Sequence, residues 1–168
     1  NLFWDHMRAN FGASLVLGIT RQVDERAEVI SLLKLLKDIK NNANIITKDW
    51  FADQYAPTLP RGIGERDFVK HFGTKPELDA SIVEQDIRDL SSATAKIAKF
   101  RHTRIAHKNT DARLVIDLNF GKVEQALKVL ENLVIKYYLL LNQGGITQLM
   151  PVIQYDWESI FRTPWIKN

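Results

Sequence analysis

Apolar residues recur every three or four positions along most of this chain, a rhythm that belongs to helices. From 120 to 142, Val123, Leu127, Leu130, Val134, Tyr137, Tyr138 and Leu141 keep one face apolar. A half-buried strand would instead alternate with a period of two. Residues 2 to 23 repeat the helical pattern with Leu2, Phe3, Met7, Phe11, Leu15 and Ile19, and residues 28 to 39 with Val29, Leu32, Leu33, Leu36 and Ile39. "NNAN" at 41 to 44 breaks it, and Thr47 ahead of Trp50 and Phe51 reads as the cap of a short helix. "APTLPRGIG" at 56 to 64 is the strongest loop signal. Pro76 suits a first helical turn, so a long helix is expected from there to about residue 106, with Leu78, Ile82, Val83, Ile87, Leu90, Ala93, Ile97 and Phe100 inward. Ser91, Ser92 and Thr94 weaken its middle and predict a kink. "KNTDAR" is a turn, Gln143-Gly144-Gly145 ends the helix at 142, and "DWESIFRTPW" suggests one more short helix anchored by Trp157, Phe161 and Trp165. The sum is an all-α helical bundle of four or five helices, and 168 residues suit a single domain over 1–168.

Composition removes several classes of function. There is no cysteine, so disulfide scaffolds, cysteine-ligated zinc and a thiol nucleophile are all excluded. The most apolar run, "LVIKYYLLL" at 133 to 141, is short and carries Lys136, so no membrane span is expected. The opening "NLFWDHMRAN" lacks the basic-then-apolar order of a signal peptide, which predicts a cytoplasmic protein. The net charge is +3, but it is unevenly placed. Lys96, Lys99, Arg101, Arg104, Lys108 and Arg113 face one acid, Asp111, and that local patch points to phosphate more than the total does.

Within the patch lies "FRHTRIAHKN", residues 100 to 109. On an α-helix, at about 100° per residue, Arg101, Arg104 and His107 fan across one side, while Phe100 and Ile105 can hold the segment to the core. Arg101 and His107 would lie about 9 Å apart along the axis. A histidine titrates near neutrality and can move a proton, and a guanidinium binds phosphate through paired hydrogen bonds. Together they suffice for metal-free RNA cleavage, because the ribose 2′-hydroxyl supplies the nucleophile. Spacing alone also fits a solvated helix end favoured by the helix dipole. Other chemistries find less support. His102 and His107 are five apart and diverge, unlike an i,i+4 zinc pair, and no GxxxxGK[ST] loop is present. "GIG" at 62 to 64 lacks the rest of a dinucleotide fingerprint, and Asp5, Asp24 and Asp38 form no evident carboxylate pair. No metal or cofactor is expected. His6 and His71 read as surface or core-edge residues, and Trp50, Trp157 and Trp165 as core anchors. One of Tyr137 and Tyr138 should be buried with its hydroxyl bonded.

"RHTRIAH" resembles the signature of the HEPN superfamily: an arginine, a polar residue, a few variable positions, then a histidine, often after alanine. Arg101 stands at the leading position, His102 in the polar slot and Ala106-His107 at the close. "FWDHMRANFGASLVLGITRQVDE" and "DWESIFRTPW" resemble the abortive-infection-associated branch, so the likeness covers most of the chain. The resemblance implies an all-α bundle that dimerises and joins two Arg-His motifs in a shared cleft. It implies a metal-independent endoribonuclease of a phage-defence or toxin–antitoxin type, with RNA as substrate and a cognate antitoxin as a further partner. Arg101 and His107 would be catalytic, and His102, Arg104 and Lys108 would bind RNA. Arg104 departs from the pattern by placing a second arginine inside the motif, nearer His107 in helical space than Arg101 is. Other members only bind RNA or nucleotide, and a helical protein-interaction domain is a further alternative.

Overall fold

Six α-helices form in the computed structural model among the residues it describes: 1–55, 59–60, 62–106, 118–149, 156 and 162, without the side chains of 105 and 106. They are α1 (Leu2–Arg21), α2 (Leu32–Asn41), α3 (Lys48–Asp53), α4 (Ile63–Phe72), α5 (Ala80–Phe100) and α6 (Phe120–Asn142). A 3₁₀ turn spans Ala43–Ile45, and a π-helical turn, Arg101–Ala106, continues α5. The all-α expectation holds, with six helices rather than four or five. The addition is α4, which the loop reading of 56 to 64 obscured. The "KNTDAR" turn and the helix expected around Trp157, Phe161 and Trp165 lie outside the described residues.

Side-chain caps set most of the helix starts. Asn1 caps α1, and Thr47 Oγ1 accepts from Trp50 N at the start of α3. Ser31, not residue 28, begins α2, because its side chain accepts from Lys34 N. Asp79 begins α5, accepting from Ser81 N at 3.0 Å, so the helix starts at Ala80 rather than beside Pro76. The expected kink is not a break: α5 runs unbroken while Thr94 Oγ1 donates to Leu90 O at 2.8 Å. Gln143, with φ of 50°, ends α6 in the left-handed region, one position ahead of the glycine pair.

The core forms where α5 lies between its neighbours. Val83, Leu90, Thr94 and Ile97 of α5 are buried, as are Leu32, Leu33, Leu36 and Ile39 of α2. On α6, Val123, Ala126, Leu130, Leu133, Tyr137 and Leu140 are buried at alternating spacings of three and four. Lys136 and Tyr137 of α6 both donate to Asp86 of α5, at 2.6 and 2.7 Å. Lys96 and Lys122 border one surface groove farther along the pair, so α5 and α6 run antiparallel. Tyr137 is thus the buried, bonded tyrosine expected of the pair.

The helices α3 and α4 pack mainly on each other through Phe51, Phe68 and Phe72, whose ring centroids lie 5.6 to 6.0 Å apart. Phe72 also meets Tyr137 of α6 at 6.3 Å. Trp50 is not the core anchor it promised to be: it is 40% exposed, and Phe51 beside it is buried instead. Among the described residues no helix is long and apolar enough to cross a membrane.

Candidate functional site

The motif sits where the long core helix α5 changes its winding. In an α-helix the N–H of residue 103 would take the carbonyl of residue 99. Here the Thr103 hydroxyl donates to Lys99 O at 2.9 Å and competes for that acceptor. The backbone passes into the wider π-turn Arg101–Ala106, a geometry that recurs at functional sites. Each residue of such a turn advances by less than the 100° of an α-helix, so Arg101 and Arg104 do not keep α-helical spacing; His107, the third member of the expected fan, lies outside the described residues.

Arg101 and Arg104 instead meet different parts of α1. Arg101 is half-buried and lies close enough to Asp24, just beyond the end of α1, for its charge to act on that carboxylate. The Asp24 side chain is only 9% exposed. It accepts from Arg26 N at 3.1 Å and from the Arg26 guanidinium at 2.7 to 3.1 Å. The Arg26 hydrogen bonds, assisted by the charge of Arg101, hold the Asp24 carboxyl down at about 2. Ser31 Oγ donates to Asp24 O at 2.7 Å and also caps α2, so the connection that carries the acid is braced at both ends. Among the described residues Arg101 makes no ion pair, and its charge acts on Asp24 from a short distance.

Arg104 is exposed and lines a groove of about 420 Å³ bounded by α1, the end of α5 and the start of α6. Phe100 forms part of its floor and also packs on the core, as expected. His102 is exposed on the same turn. His107 and Lys108 lie outside the described residues, as does the side chain of Ile105. His6 is exposed, and His71 lies at the core edge, where burial, with Lys70 adding to it, shifts it below its usual range.

Sequence reasoning missed Asp24 and Arg26 as neighbours of the motif. "DER" at 24 to 26 carries no signal of its own, because its importance comes from α1 passing beside the π-turn. It also missed Arg8 and Asn119, which reach the groove from helices far apart in sequence.

An all-α domain with this motif turn fits the HEPN class of helical proteins. Residues 1–158 match the family model HEPN_AbiU2, described as AbiU2, and the chain belongs to that family of HEPN-type proteins associated with abortive infection. No curated protein and no solved structure matches the chain.

Proposed function

We propose that this protein is a homodimeric, metal-independent endoribonuclease acting in phage defence or a toxin–antitoxin pair in the cytoplasm. The observation that carries the reading is Arg101: half-buried, beside Asp24, and without an ion pair among the described residues. A guanidinium held in that way is organised for a phosphate it does not yet contact. In the reaction, the 2′-oxygen of RNA bonds to the adjacent phosphorus while the bond to the 5′-oxygen of the next nucleotide breaks. His107 of one protomer takes the 2′-hydroxyl proton, and His107 of the other gives a proton to the departing 5′-oxygen. Arg101 stabilises the charge on the phosphoryl oxygens, and His102, Arg104 and Lys108 hold the backbone.

Dimerisation is supported by the outward stripe of α1, where Phe3, Trp4, Met7 and Phe11 are exposed together. A second copy covering that stripe would sit beside the helix that flanks both motif arginines.

The test is incubation of a mixed RNA pool with wild-type protein and with the His107→Ala and Arg101→Ala variants, in the presence of a chelator. Wild type should cleave, and each variant should lose at least about a hundredfold in rate, the scale of a general acid–base or electrostatic contribution. Salt-sensitive RNA binding by wild type without cleavage would replace this reading with a non-catalytic RNA- or nucleotide-binding module. Neither cleavage nor binding would leave a helical interaction domain.

A further inference from the structure

We infer that the groove beside Arg104 is a nucleotide subsite, which holds the base and phosphate of the residue flanking the cleaved linkage and so sets the sequence preference. This inference rests on the RNA reading of the motif and extends it to a second location.

The groove exists because of what α1 lacks. Val16, Ile19 and Thr20 fill the core-facing side of its C-terminal half. One to two turns earlier the same side offers only Ala9, Gly12 and Ala13, and the space beneath them stays open. A Cβ added at Gly12 would meet no atom within 4 Å. At about 100° per residue these positions lie on the opposite side of α1 from Phe3, Trp4, Met7 and Phe11. The groove is therefore separate from the stripe assigned to the dimer.

Its chemistry is that of a nucleotide. A base offers flat apolar faces and a polar edge, and it carries an anion at a fixed distance. Phe100 and Phe120 border the groove, and Phe120 is 75% exposed, so its ring is available for stacking. Among the described residues the charged ones that line it are Arg8 and Arg104. Arg8 pairs with Asp5, at 3.5 Å between side chains 79% and 65% exposed, a surface pair that yields readily to phosphate. Asn119 supplies the polar edge. Its Oδ1 caps α6 by accepting from Lys122 N at 3.1 Å, which turns Nδ2 into the group able to donate to a ring nitrogen or carbonyl of a base. A purely aliphatic ligand would leave that donor unmatched. Arg104 belongs to the same π-turn as Arg101, so the groove and the motif arginine are joined by one turn of backbone.

Two variants probe the site without touching Arg101 or His107. Gly12→Leu fills the floor. Asn119→Asp keeps a good cap for α6 but exchanges the donor for a negatively charged acceptor. The probes are 2′-O-methyl dinucleotides of every sequence, which bind but lack the 2′-hydroxyl needed for cleavage. Titration calorimetry should show a base preference in wild type, a loss of at least about tenfold in affinity for Gly12→Leu, and an altered preference for Asn119→Asp, with unchanged thermal unfolding of both variants. Wild-type affinities that ignore base identity, or variants that bind as wild type does, would overturn the subsite. The two readings separate cleanly. Cleavage of RNA unaffected by Gly12→Leu removes the subsite and leaves the nuclease. Dinucleotide binding abolished by Gly12→Leu, with no cleavage by wild type, keeps the subsite and removes the nuclease.

Discussion

Two arginines bear on one carboxylate at Asp24. Arg26 grips it in a fork, and Arg101 adds its charge from the motif turn. The group therefore titrates at about 2 in the folded chain, against an ordinary 3.8. Because its folded pKa is depressed, the stability it contributes is present above 3.8 and is lost as pH falls through about 2. Asp24→Asn should lower the urea midpoint at neutral pH, and the difference from wild type should vanish as the pH approaches 2. A gap that persists unchanged at that pH would show that Asp24 acts by packing and not by charge. The same variant removes an acid from beside Arg101, so the motif arginine gains freedom as the connection loses its brace.

At the scale of elements, one glycine controls how closely α3 and α4 approach. A Cβ at Gly64 would stand 2.8 Å from Ala52 Cα, a backbone atom that cannot rotate away. Gly64→Ala should therefore destabilise the protein by about 1–3 kcal/mol in denaturant unfolding, the range for overpacking a fitted contact. A neutral result would mean that the two helices slide apart freely. This pair also marks the limit of what the sequence discloses. The long helices α1, α5 and α6 were legible because apolar residues such as Leu130, Val134 and Tyr137 recur three or four positions apart. The helix α4 was not, because Pro60, Gly62 and Gly64 read as loop although Phe68 and Phe72 behind them are helically spaced. The start of α5 was misplaced because a proline at 76 and a capping aspartate at 79 are competing signals, and the side-chain bond to Ser81 N decides between them. At the site, the motif residues were legible as a run. Their directions were not, because the backbone passes from α into π winding at Arg101, which residue spacing alone does not disclose. The groove was illegible altogether, since Arg8, Phe100 and Asn119 come together only after three helices pack.

For the whole molecule, association should depend on the outward stripe of α1. Met7 is exposed there, so Met7→Lys leaves the fold intact while placing a charge in the proposed interface. Sedimentation equilibrium should show at least about a tenfold weaker dimer for this variant. A wild-type protein that stays monomeric at every concentration would remove the shared cleft from the mechanism. The helix that carries this stripe has a further property. All of its buried residues, Val16, Ile19 and Thr20, lie in its last two turns, and residues 2 to 11 are all exposed. Mechanically, α1 is a cantilever, clamped at the end beside Asp24 and free at the end beside Arg8. Its free half opens at far lower free energy than the core, so its amides should trade hydrogen for deuterium well ahead of those in α5 and α6. Whatever seats beneath it, or pairs along its outer stripe, gains most of its ordering effect on those turns.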